Sequence, residues 1–419
     1  PSPVHYVSND SAYPQWPYTN WATASRLIRD AVDAAQAGDT VLVSNGVYRP
    51  GVEIVVSNAI ELLSVNGPEA TVVDGQNSHR CFSLGTSACV IRGFTIANGV
   101  SPVGEDGGGV LCGDATPIIS QSIIRGNSAT NSGGGVKRGT LSNCLIHGNA
   151  ANLGGGRSDS AASHCSISDN SANVGGGTSG GALTNCIVHG NLAGTFSDIQ
   201  ASAAAYSCSP DVAHGVAGNI TNVPRFVSAV ASNYQLRAAS PCVDAGSALG
   251  ATDDLVGTPR PLDGDANGSP IPDMGAYEYF NVAADTDGDG LTDGAERDTH
   301  DTSPVHVDTD GDGTRDGTEV SWGFDPTIDN STGFSHFVST GESNVTANPA
   351  GFGLYTSNSI IDLDMGQMML QTSNGWMRMS LQLEQTDDLS SGTWSNAGDA
   401  VEWTQPAGEG KAFYRVRGE

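Results

Sequence analysis

Two acidic loops carry the clearest chemistry in the 419-residue chain. They run from Asp285 to Glu296 and from Asp308 to Glu319, and both satisfy the pattern D-x-D-x-D-G-x5-E in full. Ca²⁺ prefers about six to eight oxygen ligands, which such a loop supplies around a glycine-assisted turn. The pattern therefore predicts two calcium sites, with the ligands Asp285, Asp287, Asp289, the Leu291 carbonyl, Asp293 and Glu296 in the first loop and Asp308, Asp310, Asp312, the Thr314 carbonyl, Asp316 and Glu319 in the second.

A flexible acidic linker is the alternative for this segment, but two complete matches favour calcium binding. Thr302-Ser303-Pro304 separates the loops and leaves no room for long flanking helices. We therefore expect the calcium to stiffen a joint between modules. A third acidic cluster, made of Asp263, Asp265, Asn267 and Asp273, lacks the terminal glutamate that completes such a loop, so an ion site is the less favoured interpretation there.

Four basic residues form the other candidate constellation: Lys137, Arg138, His147 and Arg157. A base flanked by anion-binding cations could abstract the proton next to a uronate carboxylate, as a polysaccharide lyase does. The alternative is that these side chains belong to a solvated outer face, and we favour it because no lyase motif accompanies them. We expect no catalytic residue.

The charge of the chain limits its partners. A formal net charge of −28 excludes a sequence-independent nucleic-acid binder and disfavours an anionic membrane surface. It also repels polyanionic substrates at long range, although not neutral glycans. The sequence contains no apolar run long enough to span a bilayer.

A repeat positions the middle of the chain. Triple glycines begin 21 residues apart, and a cysteine and an asparagine recur at the same spacing, at Gly133, Gly154 and Gly175, at Cys144, Cys165 and Cys186, and at Asn149, Asn170 and Asn191. The segments between the glycines alternate apolar and polar residues, which is typical of short strands. About three such strands in each 21-residue copy predict one coil of a right-handed parallel β-helix, an all-β fold.

Stacked coils would place equivalent residues in columns about 4.8 Å apart. We expect Cys144, Cys165 and Cys186 to point inward as buried thiols, with disulfides between neighbouring coils as the alternative. The repeated asparagines should lie at left-handed turns and bond along the stack. Upstream, we predict strands at 41–43 and 54–56, and a helix over 21–35 that ends at a Gly38 C-cap and covers the first coil.

Several segments resemble known families. The opening, with Val4-His5-Tyr6-Val7 and Gly46-Val47-Tyr48, resembles secreted bacterial right-handed parallel β-helix proteins, and the GGGV…NC copies resemble the repeats of polymorphic outer-membrane proteins. The stretches 240–246 (SPCVDAG), 259–264 (PRPLDG) and 273–278 (DMGAYE) resemble the end of the choice-of-anchor β-helix group. These resemblances cover about residues 4–279, and the acidic loops resemble thrombospondin type 3 repeats. They imply a secreted or surface location, in families that include adhesins, surface proteins and polysaccharide lyases.

The sequence therefore predicts three domains: a parallel β-helix with its N-terminal cap over 1–280, tandem calcium repeats over 281–330, and a small β-sandwich over 331–419. Strand-like runs at 368–370, 379–383 and 413–416 indicate the last domain. Trp376, Trp394 and Trp403 in that domain would form core or, as the alternative, a sugar platform.

The favoured function is a non-catalytic extracellular adhesive or structural protein bound to Ca²⁺, which could join head to tail into a fibre or bind a cell-surface glycan partner. A polysaccharide lyase or glycoside hydrolase on the same scaffold is the alternative, and a carbohydrate-binding module is the third option.

Overall fold

The computed structural model describes residues 2–331, apart from 87, 249 and 251, and the backbone of five short strands between 370 and 406. The chain forms two compact units, Pro1–Thr286 and Asp287–Glu419. Among the described residues, no helix combines the length and the apolar character that crossing a bilayer would require.

The first unit is built from stacked parallel sheets, each of which receives one strand from each successive coil. Sheet 1 has nine strands, in the order Val4–Val7, Thr40–Val43, Glu61–Ser64, Val90–Arg92, Ile118–Ser120, Thr140–Ser142, Ala161–Ser163, Ala182–Thr184 and Ala203–Ala205. Sheet 2 has seven, Ile54–Val56, Phe82–Leu84, Val110–Cys112, Val136–Lys137, Arg157–Ser158, Thr178–Ser179 and Ile199–Gln200. Sheet 3 has seven, Gly46–Tyr48, Thr71–Asp74, Thr95–Ala97, Ile123–Arg125, Leu145–His147, Ser166–Ser168 and Ile187–Val188. Sheet 4 has three, Ala150–Leu153, Ser171–Val174 and Leu192–Thr195. The predicted parallel β architecture is confirmed.

The register of these sheets follows the sequence repeat only in the triple-glycine region. There, Arg157 is the Cα partner of Val136 and Thr178 is the partner of Arg157, a step of 21 residues each time. Further upstream, Ile54 is paired with Phe82, which lies 28 residues later. Longer loops enlarge those earlier coils, so the first half of the stack shows no regular repeat in the sequence.

The interior of the stack is a single apolar core that includes the cysteine column. Cys144, Cys165 and Cys186 are fully buried free thiols, and the sulfur of Cys165 contacts those of both neighbours. Burial raises the pKa of Cys165 far above its ordinary value. These residues occupy the core as small apolar groups, as the sequence predicted.

A second column is formed by asparagine. The backbone N–H and the side-chain amide of Asn149 both donate to Oδ1 of Asn170, at 3.0 and 2.9 Å, and Asn170 donates to Asn191 in the same way. Asn127 begins the column, and the carboxylate of Asp198 ends it by accepting both donors of Asn191. Bonding along the stack is therefore confirmed. The predicted left-handed backbone at the three repeated asparagines is wrong, because the neighbouring glycines take the positive φ angles.

The triple glycines allow the coils to approach closely. Gly154 has a φ of +62°, a conformation that disfavours side chains. A Cβ on the following Gly155 would collide with the carbonyl oxygens of Ser171 and Gly176 in the next coil. The repeated glycines are thus required by backbone contacts between coils.

The N-terminal segment differs from its prediction. Instead of one helix over 21–35, the chain forms a 3₁₀ turn at Trp21–Thr23 and an α-helix at Ile28–Ala34, with Ala35 rather than Gly38 at the C-cap. The break occurs because Ser25 is hydrogen-bonded to Tyr6 and Ser8 like a strand residue. Ile28, Ala31 and Val32 pack into the core. The predicted strands at 41–43 and 54–56 are confirmed.

Both ends of the stack are occupied by the chain itself. At the first strand, Tyr6 N–H donates to the Tyr18 carbonyl. At the other end, the Asp211 carboxylate accepts the backbone N–H groups of Asp198 and Ile199, at 3.0 and 2.9 Å. Beyond this point an antiparallel pair, Phe226–Ser228 with Asn233–Leu236, follows a 3₁₀ turn at Ala229–Ala231 and packs against the stack.

The second unit contains the acidic loops and short helices. These are Asp293–Ala295, a π-helical turn at Glu296–His300, and Asp316–Trp322. Antiparallel strands follow at Leu370–Ser373, Trp376–Leu381, Glu384–Gln385, Ser395–Asn396 and Val401–Pro406. The predicted strand at 413–416 and Trp394 lie outside the described residues, and a sandwich stays a prediction.

Candidate metal centre

The carboxylates of each acidic loop are oriented by backbone amides of the same loop. In the second loop, Asp308 accepts N–H groups from Gly311 and Gly313, both at 2.8 Å. Asp310 accepts the N–H of Asp312, and Asp312 accepts that of Thr314. Ligand oxygens of Asp308, Asp310 and Asp312 lie within 4.8 Å of one another. Three of the predicted ligands therefore converge in this loop.

In the first loop, Asp289 accepts the N–H of Leu291 at 2.7 Å. Asp293 and Glu296 are both fully buried, and Thr292 caps the helical turn that carries them. Glu296 lies within 4.8 Å of Asp289, as the pattern requires for the fifth and twelfth positions. Asp285 belongs to the first unit and Asp287 opens the second. Ligation by the Leu291 and Thr314 carbonyls stays a prediction.

Three buried carboxylate oxygens in this unit have no hydrogen-bond donor among the described residues: Oε2 of Glu296, Oδ2 of Asp310 and Oε2 of Glu319. Buried polar atoms are almost always paired, so such oxygens call for a partner of another kind. A hard divalent cation fits, because it takes carboxylate oxygens as ligands at short distance. The residues present therefore match the predicted calcium sites.

The pKa values of these groups agree with that interpretation. Burial, followed by repulsion from Asp287, Asp289 and other nearby carboxylates, raises the pKa of Glu296 from 4.5 to about 8. Burial also raises the pKa of Glu319 to about 7. Without a cation, each group gains by holding a proton near neutral pH.

The third acidic cluster has its oxygens engaged. Asp263 accepts the N–H groups of Asn267 and Gly268, at 3.0 and 2.7 Å. Asp244 joins this cluster and accepts N–H groups from Gly264 and Asp265. Asp273 is buried apart from it, accepting N–H groups from Asp244 and Tyr279. These carboxylates close turns by themselves, so the cluster needs no ion.

The basic candidates do not converge on one surface. Arg157 is the Cα partner of Val136, whereas Lys137 is the partner of Ser158, so the two basic side chains leave sheet 2 on opposite faces. Arg157 is fully buried, and its guanidinium donates to the carbonyls of Ser160, Gly180 and Ala182. Burial lowers its pKa to about 10.

Lys137 is 7% exposed, and its ammonium donates to Asp159 at 2.7 Å and to Ser132 at 3.0 Å. Arg138 is exposed on a turn and donates to the Gly113 carbonyl. His147 lies on sheet 3 against Tyr234, with ring centroids 5.3 Å apart. Its pKa is lowered to about 4, first by burial and then by Arg125. These groups mainly serve internal bonds and packing.

The main contact that sequence reasoning missed joins the two acidic loops. Ligand oxygens of Asp289, Glu296 and Asp316 lie within 4.8 Å of one another, although Asp316 belongs to the second loop. The only signal in the sequence was Gly317, whose role became clear from the packing of the loops.

No protein-family model matches the chain, and no curated protein matches it either. Among solved structures, a similar chain is pectate lyase Pel9A, with 12% sequence identity and a TM-score of 0.39. The alignment covers 66% of this chain and 96% of that one. The parallel β fold described above rests on the strand pairing itself.

Proposed function

We propose that the protein is a non-catalytic structural or adhesive protein of the cell exterior, whose second unit folds around Ca²⁺. The buried carboxylate oxygens of Glu296, Asp310 and Glu319 carry this proposal, because they have no donor among the described residues. Extracellular fluid supplies calcium at concentrations that even weak sites can use.

The non-catalytic part of the proposal is supported by the state of the basic residues. A general base must reach a substrate proton, directly or through one water. Lys137 and Arg157 are instead buried and hydrogen-bonded to their own chain. Arg80, another cation of the stack, is 3% exposed and bonded to Glu53 and Glu105, at 2.6 and 2.9 Å.

Head-to-tail stacking into a fibre is not included in the proposal. The outer backbone groups at both ends of the stack bind Tyr18, Ser25 and Asp211 of the same chain. An edge that is already covered offers few free groups to a second copy. We expect light scattering of a concentrated, calcium-loaded sample to show a monomer, and growing particles would require stacking to be added.

The experiment has two arms. Titrating Ca²⁺ into chelator-treated protein, followed by calorimetry, should show binding, and a flat titration would refute the calcium part. Incubation with a panel of charged and neutral glycans should produce neither unsaturated-uronate absorbance nor new reducing ends. Cleavage that Lys137→Ala abolishes would establish the enzyme instead, whereas binding on a glycan array without cleavage would identify an adhesin or a carbohydrate-binding module.

A further inference from the structure

The two acidic loops pack directly against each other within the second unit. Gly317 N–H, from the second loop, donates to Oδ2 of Asp289 in the first loop at 2.7 Å. The Arg315 guanidinium donates to the Gly288 carbonyl at 3.3 Å. A Cβ at position 317 would lie 2.5 Å from the carbonyl oxygen of Asp289, so this approach requires glycine.

This packing inserts a carboxylate of the second loop beside those of the first. Asp316 lies within 4.8 Å of Asp289 and Glu296, and all three residues are at most 8% exposed. Asp316 is fixed by Thr309, whose N–H and hydroxyl donate to its two oxygens at 2.8 and 2.6 Å. Glu296 contributes an oxygen with no donor among the described residues.

Three buried carboxylates at this separation repel one another unless a cation lies among them. Among the described residues, none of the three forms an ion pair with lysine, arginine or histidine. We propose that Asp289, Glu296 and Asp316 form one cation site shared by both loops, so that the loops take up Ca²⁺ as an interlocked pair. This inference rests on the proposed function and deepens it, because the motif assigns Asp316 to the second loop alone.

The test measures the first loop after the second has been weakened. Asp310→Asn removes a carboxylate that belongs only to the second loop. Adding Asp316→Asn to that variant should weaken the remaining Ca²⁺ site roughly tenfold or more, since affinity follows the number of charged ligands. The matched control adds Asp312→Asn instead, which removes the same charge from the second loop, and should change that site by about threefold or less.

Gly317→Ala offers a route that leaves every carboxylate in place. Its Cβ must push the loops apart, so we expect weaker Ca²⁺ binding and loss of cooperativity between the sites. This variant also covers the case in which the Asp316 substitution fails to fold, which circular dichroism would reveal.

The possible outcomes separate the two proposals. If the unsubstituted protein takes up no Ca²⁺, the proposed function itself fails. If it binds Ca²⁺ but the Asp316 and Asp312 variants weaken the first site equally, or Gly317→Ala leaves binding unchanged, only the shared site is overturned.

Discussion

The stack and the acidic loops satisfy their buried polar groups in opposite ways. In the stack, Asn170 both donates to Asn191 and accepts from Asn149, and even the buried Arg157 finds three carbonyls. In the second unit, Glu296 and Glu319 each bury an oxygen with no donor among the described residues. The first region supplies its own partners, whereas the second requires an ion from solution. Stability should therefore depend on calcium in one region only.

Calcium removal should have the largest effect. With a chelator, we expect peptides from residues 287–331 to lose protection from hydrogen exchange, while peptides from 133–195 keep theirs. Ca²⁺ at a hundredfold excess over its Kd contributes about 2.7 kcal/mol for a single site, and two sites contribute more. Hydrogen exchange with mass-spectrometric detection checks this, and an equal loss in both segments would break the comparison.

Acid should partly replace calcium in the second unit. Because the folded pKa of Glu296 is raised from 4.5 to about 8, the chelated protein gains stability from protonation that is complete below about pH 4.5 and lost as the pH rises through about 8. Each unit of such a shift corresponds to about 1.4 kcal/mol.

Protection factors for 287–331 in chelator should thus be higher at about pH 5 than at about pH 8. Ca²⁺ affinity should change in the opposite direction, because protons compete for the same oxygens. Protection that does not vary between these pH values would show that the buried carboxyls remain ionised without an ion.

Interrupting the asparagine column should destabilise the first unit strongly. Asn170→Ala removes buried bonds to Asn149, Asn191 and the Ile146 carbonyl, which should lower the free energy of unfolding by about 3 kcal/mol. The control is Asn173→Ala, because Asn173 bonds to Asn152 in a similar ladder that is exposed. We expect about 0.5 kcal/mol or less there. Urea unfolding measures both, and equal losses would contradict the role given to burial.

The smallest effect should come from trimming the core by one methyl group. Ile167 is fully buried between the coils, and Ile167→Val should cost about 1 kcal/mol in urea unfolding of the first unit. Calcium affinity of the acidic loops should stay the same. A change in that affinity would mean that the two units are energetically linked, which would sharpen the comparison into a coupling.

The sequence could predict the stack where one residue type recurs in one environment. Cys144, Cys165 and Cys186 share a period because each faces the same core column. Arg157 could not be placed this way, since it fills a core column whose neighbours are Val136 and Thr178. Hydrogen bonds to nearby carbonyls allow a cation at that inward position, and no spacing rule reveals such bonds.

In the candidate site, loop positions followed from the motif because the ligands of one loop are close in sequence. The contact of Asp316 with Asp289 depends on how two loops pack, which a linear pattern does not contain. The N-terminal helix was overestimated for a related reason. A pairing of Ser25 with Tyr6 outweighs the helical propensity of that segment.

The asparagine column also has a consequence for the length of the rod. Every 21-residue block receives the same pair of bonds that it passes on, and only Asp198, which accepts but cannot donate through a carboxylate, closes the series. A gene that gained or lost a whole block would therefore still encode matched neighbours and an intact terminus. Such proteins can vary in reach by recombination without any other sequence adjustment.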